Sequence, residues 1–315
     1  MPQAAAGALP QRRRKNDLLK GGSCMQKLVL GFIGFGEAAF HISDGLRESS
    51  RPVIKAYSRP NPATPERAQK AGVELVDSLA GLIAASDFVL CTTSAKVALP
   101  IAQEAASHLV AGKVYADLNS TSPMMKREIA QVIAQSGAVF VDVAVLEAVP
   151  SYKHRVPILA SGNGARQFAD AMCTLGMNVR YMSDMPGKSS SLKVFRSIVI
   201  KGIASVLLEA LIAGHEEGVV QQLMDSITET FTKNTPEQLA NMFLNRTAVT
   251  ASRRVSEMRD VVETLKELGL ESFSTQGTIK RLEWVCDIGL KDRFDGKVPQ
   301  HYTQVLKAIS DITHE

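Results

Sequence analysis

The segment Gly34-Phe35-Gly36-Glu37-Ala38-Ala39 constrains this chain more than any other feature, because it follows an apolar run at 27–33 and opens a helical pattern at 38–46. A strand that turns on two glycines into a helix presents backbone where other turns present side chains. Gly34 permits the tight turn, Gly36 lets a pyrophosphate approach the main chain, and Ala39 lets helix and sheet pack closely. The free N–H groups and the positive helix end then suit phosphate. Gly34, Phe35, Gly36, Glu37 and Ala38 are therefore candidate cofactor contacts.

The turn sits at the start of a longer alternation. Strand-like runs at 27–33, 52–57, 73–75, 88–91, 114–117, 138–145, 156–160 and 178–181 are separated by helical segments at 38–46, 65–71, 79–84, 98–109 and 123–135. Thr64 is placed as an N-cap, with Pro65 at the first helical position. Such a succession predicts an α/β domain whose parallel sheet carries helices on both faces. Beyond Gly187 the strand signal stops, and helices are expected at 190–217, 219–231, 235–245, 250–268 and 273–290. The organisation read from the sequence is thus a basic, disordered extension at 1–26, a dinucleotide-binding α/β domain at 27–186, and an all-α domain at 187–315 that serves the substrate and dimerisation. A length of 315 residues suits two domains.

Charge excludes one class of partner. Arg12, Arg13, Arg14, Lys15 and Lys20 against Asp17 account for the whole net charge of +4, which leaves 27–315 neutral and without a uniformly basic face for nucleic acid. No apolar run of secretory type follows those arginines, and Met25 is a candidate start. The most apolar stretch, 198–213, is interrupted by Lys201 and Glu209, so it is expected as a buried helix and not a membrane span. Cys24, Cys91, Cys173 and Cys286 are too scattered for a disulfide framework or a zinc cage. Reduced thiols, a cytoplasmic setting and no metal are the expectation.

The end of the second strand bears on the choice of nucleotide. An NAD site usually places Asp or Glu there for the ribose 2′-OH. This chain has Tyr57-Ser58-Arg59, and a guanidinium offers a planar fork to a 2′-phosphate. NADP is therefore preferred, with NAD possible, and Ser58 and Arg59 join the candidate cofactor set. Cys91-Thr92-Thr93-Ser94 ends the fourth strand at the edge where open α/β sheets bind ligands, so Thr93 and Ser94 are further candidates. Cys91 is expected to be a packed residue, since nothing nearby would lower its pKa.

Two more segments follow strands or open helices: Asp117-Leu118-Asn119-Ser120-Thr121-Ser122-Pro123 and Gly187-Lys188-Ser189-Ser190-Ser191-Leu192-Lys193. With the glycine turn they resemble the β-hydroxyacid dehydrogenase superfamily over most of residues 28–215. Within it the chain is most similar to 6-phosphogluconate dehydrogenase-like proteins with a distinct helical C-terminal domain. The shared features are Leu192-Lys193-Val194-Phe195-Arg196-Ser197, Lys201-Gly202, Glu209-Ala210 and Arg253-Arg254-Val255-Ser256-Glu257-Met258. The resemblance implies a Rossmann-type N-terminal domain, an all-α second domain and a substrate pocket between them.

It also places the family's catalytic lysine on Lys193. When hydride leaves a carbinol carbon the hydroxyl proton must leave too, and a desolvated lysine can take it. Arg196 and Ser197, three and four residues on, share that helix face. Arg196 suits a substrate carboxylate, and Asn119, Ser120 and Thr121 suit its other oxygens. Three departures from the family pattern stand out: Ser197 replaces an Asn, Leu146-Glu147-Ala148 replaces Ser-Gly-Gly, and Asn119 opens the substrate loop.

The reading is an NADP-preferring oxidoreductase of a small, anionic hydroxyacid-like substrate, acting as a homodimer. Its rivals are an imine reductase of similar architecture, which Lys193 argues against, and a non-catalytic NADP sensor. Arg246, Arg253, Arg254 and Arg259 form either an anion-binding wall or ion pairs with Glu257, Asp260 and Glu263.

Overall fold

The computed structural model describes residues 27–50 and 52–314, so the expectations for residues 1–26 lie outside it. One sheet organises the first part of the chain. Its strands are β1 (Val29–Ile33), β2 (Val53–Tyr57), β3 (Glu74–Leu75), β4 (Phe88–Cys91), β5 (Val114–Asp117), β6 (Val139–Val145), β7 (Ile158–Ser161) and β8 (Val179–Ser183), in the order β3-β2-β1-β4-β5-β6-β7-β8. Seven helices accompany them: α1 (Glu37–Ser49), α2 (Ala63–Ala71), α3 (Leu79–Ala85), α4 (Ala98–Ala106), α5 (Pro123–Ala134), α6 (Val149–Tyr152) and α7 (Ala165–Thr174).

Alternation of side chains across the strands builds two cores. In β4, Phe88 and Leu90 join Leu46 and Phe168 on one face, and Val89 and Cys91 join Leu82, Ile101 and Ile129 on the other. All four residues of β4 and of β5 are buried, as central parallel strands covered on both faces require. That is why these strands read as unbroken apolar runs.

The all-parallel expectation fails at one place. β7 runs antiparallel to β6, with Asp142 opposite Ser161, and β8 is again parallel to β7. The link from β6 to β7 holds only the short α6 and a 3-10 turn at Lys153–Arg155, and a reversal needs no full crossover helix. The predicted cap of α2 is also displaced. The helix begins at Ala63, whose N–H donates to Asn61 Oδ1, and Thr64 lies buried in its first turn. Ser122 does cap α5, accepting from the Met125 N–H ahead of Pro123.

The remainder is helical: α8 (Lys188–Glu216), α9 (Val220–Thr232), α10 (Pro236–Glu267), α11 (Phe273–Asp287), α12 (Leu290–Arg293) and α13 (Tyr302–His314). The two helices expected at 235–245 and 250–268 are one, since no Gly or Pro interrupts Arg246–Val249. A capping box of Thr235 and Gln238 starts it. Glu209 accepts from the N–H groups of Ser274 and Thr275 and from Thr275 Oγ1, so a carboxylate on α8 caps α11.

The chain divides into two compact units after Val194, inside α8, so Lys193 belongs with the sheet. The expectation that 198–213 is buried is overturned within the single chain. Ile198 is 70% exposed and Leu208 64%, because the small core of the second unit gathers around Ala248, Ala251, Val285 and Leu290 instead. By length and composition, α8 is long and apolar enough to cross a membrane.

Candidate active site

Two clefts open at the carboxyl edge of the sheet, and both are lined by Thr92 and Thr93 after β4. The first, of about 380 Å³, is built on the glycine turn. Gly34 has φ +83°, its N–H donates to Tyr57 O at 2.8 Å, and an added Cβ would fall 2.9 Å from Thr92 O. Thr92 Oγ1 donates back to Gly34 O at 2.8 Å. Gly36 is different: it is the N-cap of α1, no side chain caps the helix there, and a Cβ on it would meet nothing within 4 Å. Open space at a bare helix N-terminus is the arrangement a pyrophosphate needs, and the residues present fit a dinucleotide.

Ser58 and Arg59 line the far end of this cleft together with Arg67 from α2. The Arg59 side chain is 71% exposed and 4.0 Å from Glu104, a pair too loose to hold it. Arg67 is absent from the sequence expectation. Its signal was helical spacing, three residues after buried Thr64 on the inner face of α2.

The other candidate cofactor residues scatter. The Phe35 side chain packs edge-on against Phe32 in the core, so its backbone is what lines the cleft. Glu37 and Ser94 are exposed, and neither is among the lining residues of the two clefts. Ala38 lines the second cleft.

That second cleft, of about 400 Å³, holds Asn119, Ser120, Glu147 and Lys193. Lys193 Nζ donates to Ser120 Oγ at 3.0 Å. Burial, and next the charge of Lys126, hold the Lys193 ammonium below the ordinary lysine value, with Asp142 acting against them. Asn119 is buried and committed: its N–H and Nδ2 both donate to Asp117 Oδ1, at 3.1 and 2.6 Å. It shapes the loop that presents Ser120. Thr121 Oγ1 is a buried atom with no partner among the described residues. Arg196 and Ser197 follow along α8 in the second unit.

Cys91 is fully buried, and desolvation pushes its thiol upward, as a packed residue requires. In the basic cluster, Arg253 pairs with Glu257 at 3.4 Å, as the ion-pair reading expects, whereas Arg259 pairs at 2.7 Å with Glu283 on α11, an acid outside the expected set.

Residues 29–178 match the family model of the NAD binding domain of 6-phosphogluconate dehydrogenase, and residues 215–285 match a domain of unknown function, DUF1932. A conserved hypothetical protein from Sinorhizobium meliloti is 36% identical, with 82% of this chain and 88% of that chain covered at a TM-score of 0.59. The chain belongs to the 6-phosphogluconate dehydrogenase-like family. A second solved structure, a conserved protein of unknown function described as similar to 3-hydroxyacid dehydrogenases, is 28% identical over 86% of this chain and all of that one, with a TM-score of 0.58. Imine reductases from Myxococcus stipitatus, solved with NADP+ and, as a variant, with NAD+, share the fold at 17% identity. They cover 83% and 84% of this chain and 95% of theirs, with TM-scores of 0.66 and 0.69. The family and fold are those of an NAD(P)-binding oxidoreductase.

Proposed function

We propose that this member of the family is an NADP-preferring oxidoreductase that interconverts a hydroxyl and a carbonyl on a small, carboxylate-bearing substrate. The observation that carries the reading is the half-buried Lys193 amine, bonded to Ser120 in a cleft that shares Thr92 and Thr93 with the nucleotide cleft. NADP held on the glycine turn at Gly34 and Gly36 would supply hydride exchange with the substrate carbon. Lys193 takes the hydroxyl proton in oxidation and returns it in reduction. Ser120 Oγ fixes the amine and offers a hydroxyl to the substrate oxygen. Arg59 and Arg67 would hold the 2′-phosphate, which is the basis of the NADP preference.

The test is a panel of hydroxyacids, sugar acids and imines followed at the nicotinamide absorbance band, with NADPH and NADH binding measured in parallel. Turnover of a hydroxyacid that Lys193→Met abolishes supports the proposal. Tight NADPH binding without turnover would make the protein a sensor, and turnover confined to imines would make it an imine reductase.

A further inference from the structure

A second lysine lies beneath the site, and the proposed proton transfer makes no use of it. Lys126, in the first turn of α5, is fully buried, as are Asp117 and Asp142. Its Nζ donates to the Asp117 backbone carbonyl at 2.7 Å and stands 3.1 Å from Asp117 Oδ2 and 3.4 Å from Asp142 Oδ1. Asp117 and Asp142 are direct neighbours across the β5–β6 ladder. Two carboxylates so placed, away from water, repel each other, and a cation between them offsets that repulsion.

Each carboxylate also holds one side of the cleft. Asp117 Oδ1 accepts both Asn119 donors and so shapes the loop that carries Ser120. Asp142 accepts from Ser190 N–H and Ser190 Oγ, and from Ser161 Oγ, which itself accepts the Ser189 N–H. These bonds fix the first turn of α8, one turn before Lys193. Asp117 Oδ2 has no hydrogen-bond partner among the described residues, so the charge of Lys126 is what it meets.

We propose that Lys126 is a positioning residue: by bridging Asp117 and Asp142, it registers the Ser120 loop against the start of α8 and sets the electrostatic surroundings of the Lys193 amine. The inference rests on the acid/base role of Lys193 for its meaning in catalysis, but its geometry is independent of any substrate. The charged groups around that amine are Lys126 from α5 and Asp142 from β6, with Asp117 beyond them on β5 and Glu147 in the same cleft wall. Of these, Lys126 is the cation, and it favours the neutral amine.

The experiment reads the amine directly. Acetic anhydride acylates only neutral amines, so the pH dependence of Lys193 labelling, resolved by mass spectrometry, gives its titration without substrate. In the wild-type protein the midpoint should lie below the value of about 10.4 for a free lysine. Lys126→Met alone leaves two facing carboxylates and is expected to destabilise the fold. Lys126→Met combined with Asp117→Asn removes that conflict and should fold, as checked by circular dichroism. In the double variant the midpoint should rise toward that of free lysine, whereas Lys126→Arg should keep it low.

A wild-type Lys193 that titrates like free lysine overturns the proposal, as does a folded double variant with an unshifted midpoint. Loss of the oxidoreductase reading would appear separately, as turnover that survives Lys193→Met, and would leave these midpoints unchanged.

Discussion

The carboxylate of Asp142 holds Ser190 twice, through the backbone N–H at 3.0 Å and through Oγ at 2.6 Å. A strand in the middle of the sheet therefore anchors the first turn of a long helix, and Lys193 stands three residues further on. Its amine owes its place beside Ser120 to the sheet and to the β5 loop, all within one compact unit.

That placement makes the behaviour of Lys193 with pH specific. With Lys193 as the proposed acid and base, oxidation would need the neutral amine, so its rate should rise with pH through the Lys193 titration. Reduction needs the ammonium, so its rate should fall over the same range. Burial and Lys126 hold the ammonium below the ordinary lysine value, which moves both limbs to lower pH than a free lysine would give. Lys193→Met should lower kcat by about 10²–10⁴-fold, with NADPH affinity unchanged in a binding titration. Retained turnover in the folded variant would end the acid/base assignment.

The two glycines of the turn should fail in different ways. Gly34 sits at φ +83° with Thr92 O 2.9 Å from the place of a Cβ, so Gly34→Ala costs about 1–2 kcal/mol for its backbone conformation alone. The thermal midpoint should fall even without nucleotide. Gly36 has an ordinary φ of −83° and open space around the same position. Gly36→Ala should leave the midpoint of the apo-protein unchanged and weaken nucleotide binding, because the added methyl occupies the room kept for the pyrophosphate. Equal losses of stability in the two variants would contradict this division.

Arg59, in the loop after β2, and Arg67, on α2, line the glycine-turn cleft where the proposed NADP would place its 2′-phosphate. A hydrogen bond to a charged group contributes about 1.5–3 kcal/mol, and the exposure of Arg59 places it toward the low end. Arg59→Ala and Arg67→Ala should each raise the KM for NADPH about tenfold and leave that for NADH nearly unchanged. Parallel losses for both nucleotides would remove the basis for the NADP preference.

The reach of the sequence follows from what each signal reports. β4 and β5 are legible to the residue because both faces are buried, and every position in them is apolar or ends the run. The glycine turn was legible because it stands at the junction of a strand with a helix, whereas Lys193, inside α8, was singled out only by the resemblance to the family. The reversal of β7 left no trace, since strand direction depends on a connection, not on the strand's own composition. α7 and α13 escaped notice as well. Lys126 was hidden by its surroundings: Met-Met-Lys-Arg-Glu reads as a solvated helix start, yet Lys126 lies on the stripe of Ile129 and Ile133, which are both buried. A cation inside an apolar stripe was the available signal. Arg67 was missed for the complementary reason, because one arginine on a polar helix resembles any other until the fold brings it to the same cleft as Ser58 and Arg59.

His154 supplies a pH test of the fold itself. It is buried, both ring nitrogens lack partners among the described residues, and a Cβ on Gly45 would lie 2.3 Å from its Nδ1. Burial, followed by the charge of Arg155, lowers its proton affinity. Below about pH 6.5 the unfolded chain takes up a proton that the folded ring resists. Stability from this source is therefore complete above that pH and declines as pH falls toward the folded value. The drop in thermal midpoint between about pH 7.5 and pH 5.5 should be smaller in His154→Leu than in the wild type. An identical drop in both would show that the ring titrates freely.

α8 leads to a prediction about assembly. Phe195, Ile198, Val199, Ile203 and Val206 are exposed on one face of α8, a helix about 43 Å long at 1.5 Å per residue. A patch of that extent is larger than single chains usually leave to water. Lys201 and Glu209 interrupt the apolar sequence, and Glu209 is engaged in capping α11. A second copy of the chain, pairing α8 with its own symmetry mate, would cover the patch with a two-fold interface. Sedimentation should give a dimer for the wild-type protein. Ile198→Glu, at a position 70% exposed within one chain, should shift it toward monomer without unfolding it. A wild-type protein that sediments as a monomer at micromolar concentration would rule out this pairing and leave the patch to a different partner.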